Sequence, residues 1–151
     1  MILTNKKERS RFLRFAMVGI IGAIIDFLIL NLLHQVFNIP ILIAQAASFS
    51  VAVISNFTWN RLWTYPESRA RHIGKQLVQF VTVSLIGLAV RTLIFNGLDT
   101  ALVSISARVF PENFILKPDF IGHNASLAIV IIIILFWNFF VNRFWTYNGI
   151  N

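Results

Sequence analysis

Asn56-Phe57-Thr58-Trp59-Asn60-Arg61-Leu62-Trp63-Thr64-Tyr65 decides how this chain is read, because the chain carries it twice. The second copy is Asn138-Phe139-Phe140-Val141-Asn142-Arg143-Phe144-Trp145-Thr146-Tyr147, and seven of ten positions agree in the form N-F-x-x-N-R-x-W-T-Y. Each copy closes a long apolar run, and all four tryptophans (Trp59, Trp63, Trp137, Trp145) lie in or directly beside the two copies. Polar residues at the end of a hydrophobic helix are unusual, and their repetition makes chance a poor explanation.

The surrounding composition belongs to a bilayer. The 151 residues are 57% hydrophobic and only 13% charged, with a mean hydropathy of +0.74, against roughly 45–50% apolar and about 25% charged in soluble domains. Working outward from the motif gives four spans, each of about 20 residues or more, the length a bilayer requires: Phe12 to Phe37, Ile41 to Trp63, Gln76 to Val103 and Ile121 to Trp145. Asn38-Ile39-Pro40 turns the first span into the second, and Pro66 stops the second because proline cannot continue a hydrogen-bonded helix. The first span is too long for a signal-peptide core and no small-residue cleavage site follows it, so it reads as retained. With no cysteine in the chain, disulfide and thiolate chemistry are excluded.

Charge orients the spans. Residues 1–14 carry Lys6, Lys7, Arg9, Arg11 and Arg14 against Glu8, and the loop at about 66–75 adds Arg69, Arg71, His72 and Lys75. The 38–40 turn is uncharged and the 104–120 connection balances Arg108 and Lys117 against Glu112 and Asp119. Lys and Arg accumulate in cytoplasmic loops, which places both termini and the middle loop in the cytoplasm, with tryptophan at the cytoplasmic interface. The net charge of +7 then reports topology and attraction to anionic headgroups rather than nucleic acid.

The repetition extends beyond the motif. With a shift of 65 positions Phe15 meets Phe80, Val18 meets Val83, Gly22 meets Gly87, Leu28 meets Leu93, Ile29 meets Ile94 and Asn31 meets Asn96. The second and fourth spans align at a shift of 82, the difference fitting the longer second outer connection. The expected fold is an all-α integral membrane protein whose four transmembrane helices form two tandem hairpins related by an axis along the membrane normal. Residues 1–10 are a basic lead-in, and 11–147 the membrane domain, with one repeat over about 11–65 and the other over about 76–147.

The same alignment sets Asp26 against Arg91. Counting about 1.5 Å per residue, each lies about 18 Å above the cytoplasmic interface. A lone mid-bilayer charge costs at least about 2.5–3.5 kcal/mol, so Asp26 and Arg91 are expected to pair with one another, either as a structural bridge or as part of a substrate path. Ala44, Ser48, Ala52 and Ser55 form a small-residue face that lets helix backbones approach, with Gly19 and Ala23 doing likewise in the first span.

In an α-helix Asn56 and Asn60 share a face that Trp63 and Thr64 continue; Asn138, Asn142, Arg143, Trp145 and Thr146 repeat this arrangement. Two readings stand. Arginine forks suit phosphate and amides suit sugar hydroxyls; equally, arginine at a helix end snorkels and asparagine ties helices together. His34, His72 and His123 are scattered without ligand spacing, so no metal is expected. Nucleotide and nucleophile motifs are absent, and neither an enzyme nor a cofactor is indicated.

The Arg14-Phe15-x-x-Val18-Gly19 opening, Asp26 and the twin N-F-x-x-N-R-x-W-T-Y helix ends resemble the GtrA-like family, whose module also forms the membrane domain of some dolichol-phosphate mannose synthases. The resemblance covers about residues 11–147. It implies a translocase for polyprenyl-phosphate-linked sugar, undecaprenyl phosphate being the carrier, at the cytoplasmic (inner) membrane in cell-surface polysaccharide synthesis. On that resemblance Arg61 and Arg143 would hold the phosphate, with Trp63 and Trp145 beside them. Asn56, Asn60, Asn138 and Asn142 would line a polar path, and Asp26 with Arg91 would support its middle. A bundle of four helices is narrow, so a homo-oligomer would flank the path. The resemblance also implies two alternatives: a scaffold presenting polyprenyl phosphate to a partner glycosyltransferase, and retrograde return of undecaprenyl phosphate.

Overall fold

The computed structural model describes residues 5–111 and 114–149; residues 1–4 of the basic lead-in and Glu112 of the outer connection lie outside the described residues. Among the described residues the secondary structure is helical. Helix α1 spans Lys6–Asn31 and starts where the Asn5 side chain accepts the Lys7 N–H at 2.9 Å, one of the orphan donors every helix start must satisfy. It opens into a π-helical turn at Leu32–Val36. Asn38 then takes a left-handed conformation, φ 54°, which asparagine tolerates better than most side chains. Pro40 precedes α2, Ile41–Trp59, where its missing N–H costs nothing. A π-helical turn at Asn60–Thr64, a 3₁₀ turn at Pro66–Ala70, α3 at Ile73–Val109, α4 at Pro118–Val141 and a last π-helical turn at Asn142–Thr146 follow.

Helices α3 and α4 start three residues before expected, at Ile73 and Pro118, and two boundaries differ by more. The lead-in is helical from Lys6, because Asn5 caps a run of good helix formers. Helix α3 continues past Val103 to Val109, since nothing in Ser104–Val109 breaks a helix before Pro111. The outer connection is correspondingly shorter.

All four helices are long and apolar enough to cross a membrane. Their hydrophobic faces are largely exposed, with between 11% and 28% of each span's most apolar stretch buried. Exposed apolar surface on that scale requires lipid; the chain is a multi-pass membrane protein.

The chain divides into two compact units, one built from residues up to Val81 together with Val141 onward, the other from Thr82–Phe140. In the first, α1 packs on α2 through the expected small face: Ala44, Ser48 and Ala52 are buried and Ser55 half-buried. Phe57 meets Phe80 edge to face at 5.7 Å. The close-packing glycine of α1 is Gly22, where a Cβ would overlap the Asn56 amide; Gly19 faces open space and Ala23 is exposed, so neither takes part in the packing of α1 on α2. In the second unit Gly122, Ser126 and Val130 form the buried stripe of α4. A Cβ on Gly122 would stand 2.6 Å from the Val103 Cα, and Ser106 Oγ donates to the Pro118 carbonyl at 2.7 Å.

Candidate functional site

Both motif copies fold into the same local shape. The Tyr65 N–H donates to the Asn60 carbonyl at 2.8 Å, and the Tyr147 N–H to the Asn142 carbonyl at 2.8 Å, each closing a turn one residue wider than an α-helix allows. The wider turn changes which side chains face inward. Asn60, Thr64 and Tyr65 are buried while Trp63 is 37% exposed; Asn142, Thr146 and Tyr147 are buried while Trp145 is 46% exposed. Asparagine and tryptophan therefore do not continue one face, as α-helical spacing suggested. The buried tyrosines stack on each other, ring centroids 4.2 Å apart and planes 19° from parallel. The two copies thus meet through equivalent residues, 82 positions apart. Burial pushes both phenols well above their usual range.

The two motif arginines are held by the chain itself. Arg61 is buried; its guanidinium donates to Gln76 Oε1, to the Arg69 carbonyl at 3.0 Å and to the Arg71 carbonyl at 2.9 Å. It pins the Pro66–Ala70 turn under the start of α3. Arg143 grips Glu8 with two prongs, Nε to Oε2 at 3.0 Å and Nη2 to Oε1 at 2.9 Å, the fork geometry that arginine supplies and lysine cannot. Glu8 also accepts from Arg11 Nη1, and Arg11 continues to Glu67 at 3.1 Å, which Lys7 approaches at 3.2 Å. Burial pushes the Glu67 carboxyl up, but its own backbone N–H and the Lys7 and Arg11 side chains prevail and hold it below the usual 4.5.

A second group of polar atoms climbs the first hairpin. Asn60 Oδ1, Asn56 Oδ1 and Asp26 Oδ1 are each buried with no hydrogen-bond partner among the described residues. Asn60 and Asn56 are one turn apart on α2, Gly22 of α1 lies against Asn56, and Asp26 is one turn beyond Gly22. At about 1.5 Å of rise per residue, these acceptors span about 12 Å from the motif end into the apolar stretch. In the second unit Asn138 likewise lies beside a glycine, Gly87, at 3.1 Å from where its Cβ would be. Gly22 and Gly87 are equivalent at the 65-residue shift and Asn56 and Asn138 at the 82-residue shift. Arg91 is exposed on α3.

Around the first unit's polar end lie two recesses. One, of about 490 Å³, is lined by Lys6, Lys7, Arg11, Arg14, Thr64 and Glu67 among others; Arg14 there donates to the Trp63 carbonyl at 3.0 Å and lies over the Trp63 ring. The other, of about 500 Å³, is lined by Arg71, His72, Lys75, Gln76, Gln79 and Trp145 among others.

Sequence reasoning missed Glu8, Glu67, Gln76 and the tyrosine stack. The tyrosines had a legible signal, since they close both motif copies. The partners of the arginines had none, lying far away in sequence or in a loop. Among the described residues no group of His, Asp and Glu is arranged to hold a metal ion.

The family model described as GtrA/DPMS, transmembrane domain, matches residues 14–147. The uncharacterized membrane protein YngA of Bacillus subtilis is 30% identical over 83 residues, 55% of this chain and 55% of that protein. A dolichol-phosphate mannosyltransferase of Pyrococcus furiosus is 28% identical over 92 residues, 58% of this chain and 25% of the enzyme. The matches thus span about half of the first relative and a quarter of the second.

Proposed function

The chain belongs to the GtrA/DPMS transmembrane-domain family, and from that membership we propose that it moves a polyprenyl-phosphate-linked sugar across the cytoplasmic membrane for cell-surface polysaccharide synthesis or modification, undecaprenyl phosphate being the carrier. The observation that carries the reading is the run of unpartnered acceptors at Asn60, Asn56 and Asp26. A buried acceptor left unpaired costs about 1–3 kcal/mol, and such atoms in a native structure call for an explanation. A sugar supplies what they lack, a set of hydroxyl donors, while the polyprenyl tail stays in lipid. Asn138 and Asn142 stand at the equivalent positions of the second motif copy, where Asn142 Oδ1 accepts from Thr146 Oγ1 at 2.8 Å, and line the path there. Trp63 and Trp145 stand at the mouths as exposed aromatic plates, and Arg61 and Arg143 receive the phosphate by exchanging their in-chain acceptors for its oxygens. Asp26 serves the polar run of the first span and Arg91 the equivalent position of the third, with both termini on the cytoplasmic side.

The test is translocation of a polyprenyl-phosphate sugar in proteoliposomes by the parent and by Asn56→Leu plus Asn60→Leu. Replacing unpaired buried polar groups with apolar ones of similar shape is near neutral or stabilising. The expected result is lost movement with an unchanged or raised melting temperature. Movement that survives removes these residues from the path.

A second reading is favoured by the similarity to a dolichol-phosphate mannosyltransferase: an anchor that presents polyprenyl phosphate to a separate glycosyltransferase. A parent chain that moves no sugar, yet co-purifies with a glycosyltransferase and raises its activity, selects the anchor.

A further inference from the structure

The two recesses of the first unit are copies of one another. At the shift of 65 that relates the first and third spans, Lys6, Lys7, Ser10, Arg11 and Arg14 fall on Arg71, His72, Lys75, Gln76 and Gln79. At the shift of 82 that relates the motif copies, Thr64 falls on Thr146. All six of the first set line one recess and all six of the second set line the other. The repeat therefore builds the same hollow twice, each between the start of an odd-numbered span and the end of a motif copy.

Their charges differ. In the first recess Arg11 is bonded to Glu8 and Glu67, Lys7 to Glu67, and Arg14 to the Trp63 carbonyl. Three of its four cations are thus already engaged within the chain. The second recess has no carboxylate among its lining residues, and neither Arg71 nor Lys75 forms a salt bridge among the described residues. The tail passes close against Arg71 at Gly149, φ +69°, where a Cβ would come within 2.6 Å of Arg71 Nη2. Buried Gln76 and half-exposed Gln79 add amides, and Trp145 adds an exposed aromatic wall.

We propose that the recess lined by Arg71, His72, Lys75, Gln79 and Trp145 is a docking site for a phosphate-bearing headgroup, and that its twin, whose cations are mostly engaged within the chain, is not. Arg71 supplies a fork and Lys75 a point charge to the phosphate oxygens, while Trp145 and the amides cover the group esterified to it. This deepens the transport reading and rests on it for the identity of the ligand, but binding at the recess is measured apart from movement.

The experiment uses the full chain in phosphatidylcholine nanodiscs with three probes: polyprenyl monophosphate, phosphatidylglycerol and inorganic phosphate. Retained lipid is measured by native mass spectrometry, and inorganic phosphate by its competition with the lipids. Arg71→Gln plus Lys75→Gln should weaken binding of the phosphate lipids at least about tenfold, the factor that about 1.4 kcal/mol produces. Arg71→Lys with Lys75→Arg should recover much of it, and Lys6→Gln in the twin recess should leave it unchanged. On the unaltered chain, bound lipid should slow amine-directed labelling of Lys75 and not of Lys6, a readout independent of whether any variant folds. Preference for the polyprenyl lipid identifies that source; equal binding of phosphatidylglycerol keeps the site and assigns it to bulk anionic lipid, against the transport reading; competition by inorganic phosphate shows that the phosphate alone is read. Binding that is indifferent to Arg71 and Lys75, with Lys75 labelled equally with and without lipid, overturns the proposal. Binding confirmed in a chain that moves no sugar would leave this site standing and remove the translocase.

Discussion

At the residue scale the repeat explains why Glu8 is where it is. Arg61 and Arg143 are equivalent at the 82-residue shift, and Gln76 and Arg11 at the 65-residue shift. In one copy the buried arginine donates to a neutral glutamine. In the other, the equivalent positions hold two cations, Arg143 and Arg11, and Glu8 lies between them as the shared acceptor. Removing one partner of a buried ionic group leaves uncompensated charge and costs about 3–5 kcal/mol. Glu8→Gln should therefore destabilise the chain by about 3 kcal/mol, measured by thermal denaturation in detergent. Adding Arg11→Gln, which converts the site to the arrangement of Arg61 with Gln76, should recover most of that loss. A double variant no more stable than Glu8→Gln alone would show that Glu8 does not serve to separate the two arginines. None of this was visible in the sequence, where Glu8 reads as a lone acid in a basic leader; its role depends on a partner 135 positions away.

At the element scale, hydropathy and the doubled motif were enough to give four helices and their order, because twenty apolar residues in lipid have little choice but to satisfy their backbone as helix. The π-helical turns were not legible. Asn60-Arg61-Leu62-Trp63-Thr64 is compatible with an α-helix by propensity, and the wider turn is fixed by burial of Tyr65 and Thr64 against tertiary neighbours. Glycine roles were only partly legible. Gly19 and Gly22 look alike in sequence, and only packing separates them. The structure also ranks the glycines by what a methyl group would meet. At Gly122 the obstacle is the Val103 backbone at 2.6 Å, which cannot move without α3; at Gly22 it is the end of the Asn56 side chain, which can rotate. Overpacking costs about 1–3 kcal/mol, so Gly122→Ala should fall in that range by thermal denaturation. Gly22→Ala should cost clearly less stability while displacing Asn56 and impairing transport, and Gly19→Ala should change neither. Equal stability losses at Gly22 and Gly122 would count against a yielding Asn56.

At the scale of the whole molecule the direction in which the chain crosses the membrane bears on function, because both recesses open at the motif end of the first unit. A headgroup synthesised in the cytoplasm can dock at Arg71 and Lys75 only if that end is cytoplasmic. Charge supplies the physical reason to expect it: Lys and Arg are held back from translocation, and Arg69 and Arg71 between α2 and α3 with Lys75 in the first turn of α3 crowd that end, whereas the connection between α3 and α4 sums to zero. The absence of cysteine makes the test direct, since a single introduced thiol is the only one present. Ala70→Cys lies at an exposed position in the 3₁₀ turn and Ile115→Cys at a position 94% exposed in the outer connection. With α3 as the one span between them, a membrane-impermeant maleimide added to intact cells should label Ile115→Cys and leave Ala70→Cys unmodified until the cells are permeabilised. The reverse pattern would turn the molecule over, placing the Arg71 and Lys75 recess outside. A phosphate site there would fit retrieval of the carrier after the sugar has been used, not delivery of the sugar to the outer face.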